Sequence, residues 1–392
     1  MCVYMSEPFS ELRILHRKAI YPHITGGNLR TMNIARLALG VFPHTTVFSM
    51  DNRLDYEGDI DGIHVIQERE LHTVREMVKY YTRAITAKEL IVPYTKRAFR
   101  YSENALYEIN DPLLYPLLKR EKISQFILDE QNVNWEMFSI PQPDIKKRIY
   151  VKIAFRRDKE NEKRALHHAA HVICCSYRDR DILVNEVPDI KDRISVIPNC
   201  VNFREYDPVH RSMVRENEGQ RSRILFVGNP SHPPNADAVR LICQIIAPRS
   251  SGNYQFIITG KNPHAINPPE NVQFVGYVRD IRETIAGADI CIAPIRSGSG
   301  TRLKILEYMA MGKPVIATSK GAEGIEFTEG LNIIIEDEIQ KYPEIIQQLL
   351  DDEKKCSALG REARKLICEK YDWDLYRKPL QKIYRDVTGN SG

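Results

Sequence analysis

Short runs of β-branched and aromatic residues recur along this chain with helical stretches between them, and after a polar interruption the whole series starts again. The first series reads "LRILH", "TTVFSM", "GIHVIQ", "ISQFILD", "HVICCS" and "RISVIP"; the second reads "RILFVG", "YQFIITG", "NVQFVG", "DICIAPI", "KPVIAT" and "LNIIIED". Parallel strands need a crossover long enough to hold a helix, so this alternation predicts parallel sheets covered by helices. Two series predict two domains, and 392 residues are enough for each to bury its own core. The interruption, "NCVNFREYDPVHRSMVRENEGQRS", is charged and poor in periodic apolar residues. It divides the chain into domains at 1–201 and 223–372 joined by a linker at 202–222. In the last segment, 373–392, the spacing of Trp373, Leu375, Tyr376, Leu380 and Ile383 predicts an amphipathic helix.

Composition removes several classes of function. Hydrophobic residues make up 43% and charged residues 28%, the balance of a soluble globular protein. No uncharged apolar run approaches a bilayer span, and Glu7 and Glu11 interrupt the start before a signal-peptide core can form, so a cytoplasmic location is expected. A net charge of +4 is too small to point to nucleic acid. Eight scattered cysteines, with Cys174 and Cys175 inside an apolar run, read as buried thiols. The acidic triplets at Asp59, Asp179 and Asp372 do not directly follow hydrophobic strands, so no metal site is expected.

One stretch carries chemistry: "SGSGTRLKILEYMAMGKPVIAT", from Ser297. A buried strand, "DICIAPI", leads through a small-residue loop into a helix ended by Gly312 and Pro314. Ligands of open α/β sheets sit beyond the carboxyl ends of the strands. Gly298 and Gly300 permit close approach to the backbone, and the helix start, with Arg302 and Lys304, favours an anion. Glu307 lies roughly 10 Å farther down the helix, on the stripe of Leu303. A carboxylate there suits ribose hydroxyls, and phosphate plus ribose spell a nucleoside diphosphate. The bland alternative is a salt bridge between Glu307 and Lys304. A dinucleotide fingerprint is excluded because Leu303 stands where the third glycine would be.

"GSGTRLKILEYMAMGKPVIAT" followed by "GAEGI" resembles the donor-site segment of retaining glycosyltransferases of family 4, the group 1 glycosyltransferases. "RILFVGNPSHPPNADAV" and "NVQFVGYVRDI" resemble further landmarks of that family's C-terminal domain. "YPHITGGNLRT", "ILDEQNVNWE", "HVICCSYRDRD" and "VIPNCVN" resemble those of its N-terminal domain. The resemblance implies a GT-B fold: two Rossmann-like α/β domains with parallel sheets facing across a cleft, and a C-terminal helix crossing back to the first domain. It implies transfer of a sugar from a nucleotide-diphosphate sugar to a glycan or lipid-linked acceptor, with retention of configuration and without metal or cofactor, the nucleotide sugar being a substrate. A nucleotide-sugar 2-epimerase and a non-catalytic binding subunit are the alternatives. By the same resemblance Glu307 would bind ribose, and Gly300, Thr301, Arg302 and Lys304 the diphosphate. Gly276 and Tyr277 would meet the base, and Gly26 and Gly27 would form the loop beside diphosphate and acceptor. Gly228, at the end of the "RILFVG" strand, joins the donor-binding set.

The chain departs from the family pattern at three places. Ser299 stands where many members carry a first glutamate, and it is counted among the donor-binding positions. "NPSHPPN" lacks the usual arginine and lysine, so Arg302 and Lys304 are expected to meet the leaving charge, with Lys261 as a further candidate. Gln131 replaces a histidine; with Asp129 and Glu130 it is a candidate for orienting acceptor or sugar. Finally, Ile145 to Arg164 holds nine Lys or Arg against three acidic residues. That pattern suits either a solvated helix or one lying on an anionic membrane surface at the inner face.

Overall fold

The computed structural model describes residues 9–17, 19–21, 26–51, 55–69, 101–137, 145–208, 221–250, 252–262, 266–298 and 300–389. They form two compact units: residues up to Pro198 together with those from Tyr376 onward, and Asn199–Leu375. The helices that bear on the sites are α1 (Gly26–Ala38), α2 (Ile145–His168), α3 (Tyr177–Glu186), α4 (Pro233–Leu241), α5 (Leu303–Ala310), α6 (Glu353–Lys370) and α7 (Trp373–Thr388).

In the first unit, β1 (Glu11–His16), β2 (His44–Asp51), β3 (Tyr56–Ile60), β4 (Ile63–Arg69), β5 (Ala105–Ile109), β6 (Phe126–Glu130), β7 (His171–Cys174) and β8 (Ile194–Val196) make one sheet. Its order is β3-β4-β2-β1-β5-β6-β7-β8. Every pairing is parallel except β3 with β4. Each run singled out in the sequence contains a strand; β3 and β5 are additions. β3, "YEGDI", turns back along β4 through Asp61 and Gly62, whose φ angles of 54° and 81° suit a two-residue hairpin. Its inner residues, Tyr56, Gly58 and Ile60, are only half-buried and include a glycine, so its alternation with Glu57 and Asp59 is weak. β5, "ALYEI", is wholly buried, and Glu108 in it masks the apolar pattern. Burial, followed by the charge of Asp129, pushes the Glu108 carboxyl up to about 8, so it enters the core as a neutral acid at neutral pH.

That carboxyl also anchors the end of the chain. Tyr384 of α7 donates to Glu108 Oε2 at 2.7 Å and meets Phe42 edge-on at 5.6 Å. Gln381 donates to the Leu37 carbonyl at 3.0 Å. Pro379 inside α7 removes a helical hydrogen bond, a cost of about 3 kcal/mol in isolation. Burial of Leu380, Ile383 and Tyr384 against the first unit offsets it. Leu375, expected on the apolar face, is exposed.

In the second unit, β9 (Ser222–Phe226), β10 (Tyr254–Thr259), β11 (Val272–Gly276), β12 (Ile290–Ala293), β13 (Val315–Ala317) and β14 (Ile334–Ile335) pair in the order β11-β10-β9-β12-β13-β14. All pairings are parallel. Renumbered within the unit this is 3-2-1-4-5-6, the Rossmann order, whose direction of growth reverses between β9 and β12. The first unit reverses in the same way between β1 and β5. Those two reversals are where ligand crevices open. α6 presses on the loop after α5 so closely that a Cβ on Gly360 would lie 2.1 Å from the Gly312 carbonyl oxygen. Within the polar stretch read as linker, Val201 and Tyr206 are buried in the second unit's core.

Candidate functional site

At the second unit's reversal, the loop after β12 reaches α5 through Gly298 and Gly300, whose φ angles of 99° and 78° are left-handed. A Cβ on Gly298 would come within 3.1 Å of the Arg302 guanidinium and 3.3 Å of Pro234. Glycine there brings the first turns of α4 and α5 together. The N–H groups of Leu303 and Lys304 at the start of α5 have no intrahelical acceptor, whereas that of Ile305 donates to the Arg302 carbonyl at 2.9 Å; Arg302 occupies the cap position and supplies no side-chain cap. Its guanidinium instead donates to the carbonyls of Gly300 and Ser297. Thr301 is buried, and its hydroxyl has no hydrogen-bond partner among the described residues.

Lys304 projects into the same crevice. Its ammonium donates to Asn235 Oδ1 of α4 at 2.7 Å and lies 4.4 Å from the centre of the Phe226 ring. Burial, reinforced by Arg302, pushes its pKa down to about 7; Glu307 acts the other way. A Cβ on Gly228 would stand 3.0 Å from that ammonium, so Gly228 is the space into which Lys304 reaches. An anion placed here would meet the start of α5 and two cations at once, while α4 opens on Pro233 and Pro234, which carry no N–H.

Glu307 lies farther along α5 and does not pair with Lys304, which disposes of the bland alternative. Its Oε1 accepts from the Tyr206 phenol at 2.8 Å. Its Oε2 takes no hydrogen bond among the described residues. Burial raises the Glu307 pKa, while the Tyr206 hydrogen bond and Lys304 hold it down. At the end of β11, the Gly276 carbonyl accepts from the Gly260 amide at 2.7 Å, and Gly276 turns with a φ of 71°. Tyr277 beyond it is 71% exposed, a bare aromatic surface. Lys261 is exposed just past Gly260. Ser299 lies outside the described residues.

The first unit's reversal holds a polar cavity of about 190 Å³, lined among others by His16, Gly27, Asn110, Glu130 and Gln131. Gly26 starts α1, and a Cβ on Gly27 would approach Gln131 Oε1 to 2.9 Å. The Thr31 hydroxyl is the hub: Asn110 and Gln131 donate to it at 2.8 and 3.2 Å, and His16 Nδ1 lies 3.2 Å away. Asn28 Oδ1 can only accept, so His16 donates to it through Nε2 at 3.0 Å. Glu130 is buried with Oε2 unpartnered among the described residues, and burial, then Glu162, raises its pKa well above the ordinary range. Asp129 is engaged elsewhere: Arg30 of α1 grips it with two donors, at 3.0 and 2.6 Å, both side chains being 1% exposed. The structure thus brings Gly27, Gln131 and Glu130 to one cavity and turns Asp129 toward Arg30.

Sequence reasoning missed Asn235, Tyr206 and Arg30. Asn235 stood in view, as the last residue of the stretch that lacks the usual cations. Tyr206 lay in a segment set aside as linker, and nothing in the sequence joins Arg30 to Asp129, 99 residues apart. The basic segment is helical, as α2, but its side chains at 145–155 and 157 lie outside the described residues. Lys159 and Lys163 are paired with Glu186 of α3 at 2.9 and 2.8 Å. Among the described residues, no helix is long and apolar enough to cross a membrane, and no group of three His, Cys, Asp or Glu is placed to hold a metal.

The two-sheet α/β architecture is shared with known proteins. Residues 221–352 match the family described as Glycosyl transferases group 1, so the chain carries a domain of that class, and its two α/β units have the GT-B fold of solved glycosyltransferases. A GDP-mannose-dependent monoacylated alpha-(1-6)-phosphatidylinositol monomannoside mannosyltransferase of Corynebacterium glutamicum is 27% identical over 161 residues. That match takes in 37% of this chain and 42% of the relative, so the chain spans less than half the length of that protein. Sucrose-phosphate synthase from Thermosynechococcus elongatus superposes with a TM-score of 0.71 at 16% identity, over 97% of this chain and 100% of the other. Anabaena HepE in complex with UDP superposes at 0.65 with 14% identity, over 95% and 99%.

Proposed function

We propose that the protein transfers a sugar from a nucleotide-diphosphate sugar to an acceptor hydroxyl. The supporting observation is the crevice at β9 and β12, where Lys304 and Arg302 stand at the start of α5 and Glu307 lies farther along it with Oε2 taking no hydrogen bond among the described residues. The diphosphate would lie on the cations and the start of α5, the ribose on Glu307, and the base toward Tyr277. The bond between the anomeric carbon and the diphosphate breaks, and its electron pair leaves with the phosphate. Arg302, Lys304 and the start of α5 meet that charge. The acceptor oxygen bonds to the same carbon on the same face, and its proton passes to the departing phosphate, so configuration is retained. Gln131 and Glu130 of the first unit's cavity are assigned to acceptor or sugar.

The acceptor class proposed is a glycan or a lipid-linked sugar met at the inner face of a membrane, with α2 as the basic surface. The relative that acts on a phosphatidylinositol mannoside supports that reading. Co-flotation with anionic liposomes at low salt, lost as ionic strength rises, is the corresponding measurement. Because cationic side chains meet the leaving charge, turnover is expected to survive EDTA; loss in chelator restored by Mg²⁺ or Mn²⁺ would contradict this.

Glu307→Ala is expected to weaken nucleoside-diphosphate binding by about 1–3 kcal/mol through loss of charge-assisted hydrogen bonds, leaving inorganic pyrophosphate binding unchanged. Calorimetric titration of both ligands checks it. Product analysis with a nucleotide sugar checks the reaction: a glycosylated acceptor supports transfer, whereas an isomerised donor or no product overturns it.

A further inference from the structure

Tyr206 is held at both ends. Its backbone carbonyl accepts from the Arg364 guanidinium, which also donates to the Ala310 carbonyl at the end of α5. The same guanidinium lies 4.2 Å from the centre of the Phe203 ring, and the Tyr206 amide closes the turn onto the Phe203 carbonyl at 3.1 Å. The 203–206 turn is thereby tied to the helix that carries Glu307. Tyr206 is 8% exposed, and its phenol reaches Glu307 Oε1 at 2.8 Å. A half-buried carboxylate with one oxygen fixed by a phenol presents the other oxygen in one direction.

We propose that Tyr206 is a positioning residue for ribose recognition: its phenol occupies Glu307 Oε1, keeps the carboxylate turned along α5, and leaves Oε2 to accept the ribose hydroxyls. The inference rests on the reading of Glu307 as the ribose-binding group and adds what that reading lacks, namely what orients the carboxylate. A diol is recognised well by an acceptor that is both ionised and fixed in angle, because each hydroxyl must donate along a lone pair. Without the phenol, Glu307 would keep its place on the helix but gain rotational freedom and protonate more readily. The charged and titratable groups around the pair are Lys304 and Tyr308 on α5, and Arg282 and Glu205 beside the phenol.

The test is calorimetric titration of wild type, Tyr206→Phe and Glu307→Gln. The probes are UDP, GDP and ADP, the 2′,3′-dideoxy form of the tightest binder, and inorganic pyrophosphate. Wild type is expected to prefer the ribose form. Glu307→Gln should lose that preference, and Tyr206→Phe should reduce it by roughly tenfold while binding pyrophosphate within about twofold of wild type. Affinity of Tyr206→Phe for the ribose form should also begin to fall at a higher pH than in wild type as the solution is acidified, a change that a packing role alone would not produce. A wild-type ribose preference in Tyr206→Phe, with that preference lost in Glu307→Gln, overturns the role of Tyr206 and spares that of Glu307. An unchanged preference in Glu307→Gln overturns both. Loss of pyrophosphate binding in Tyr206→Phe makes the residue a structural support of the whole crevice and overturns positioning.

Discussion

Replacing Arg30 by methionine is expected to destabilise the first unit by about 3–5 kcal/mol, two orders of magnitude or more in its folding equilibrium. The guanidinium is 1% exposed, spends two nitrogens on Asp129 and donates from the third to the Ile197 carbonyl at 2.9 Å. Its loss strands a buried carboxylate and a buried carbonyl together. The pair itself adds little over an apolar pair, because desolvation of both ions cancels much of their attraction. Arg30→Met/Asp129→Leu should therefore recover most of what the single variant loses. Urea unfolding read by amide exchange of α1 and β6 reports this unit separately. A single variant as stable as the double would show that Asp129 does not depend on Arg30.

The sheets were legible because a strand buried between helices needs a run of apolar and β-branched residues, and each quoted run holds such a stretch even where Arg13, His64 or Gln255 interrupts it. β5 was not, because a carboxyl entered it as a neutral acid with a tyrosine from the far end of the chain as its partner. β3 was not, because an edge strand half open to water needs no apolar face, although Asp61-Gly62 already carried the hairpin signal. The crevice of the second unit could be placed from the order strand, glycine loop, cationic helix, since that order is local. What holds its charges is not local: Asn235 takes Lys304 from another helix, and Tyr206 takes Glu307 from 101 residues away. Spacing on one helix therefore left Glu307 and Lys304 as an equally good pair, and only tertiary partners separate them. Asp129 illustrates the converse. Placement at the end of a strand suggested chemistry, whereas its partner makes it a strut for the loop that carries Gln131.

Lys304→Met is expected to lower turnover by about 10²–10³, the usual effect of removing one donor aimed at developing negative charge. It should also abolish a pH dependence of diphosphate binding that wild type shows. In the free protein the ammonium sits between Asn235 and the Phe226 ring, short of water and beside Arg302, with a pKa of about 7. A bound diphosphate puts negative charge beside it and raises that pKa, since opposite charge favours the ionised form. Binding therefore takes up a proton at any pH between the free and bound values. Affinity is greatest below about pH 7 on account of this group, and falls by up to about tenfold for each unit above it until the bound-state pKa is reached. Titrations of a nucleoside diphosphate, whose terminal phosphate is already ionised at pH 8, in two buffers of different ionisation enthalpy measure the proton directly, and a series from about pH 7.5 to 9 measures the slope. Lys304→Met should bind more weakly with neither proton uptake nor slope. Arg302 stays charged throughout this range even though burial lowers its pKa, so Arg302→Ala should weaken binding and keep the slope. A slope unchanged in Lys304→Met would assign the proton to another group and remove Lys304 from the diphosphate.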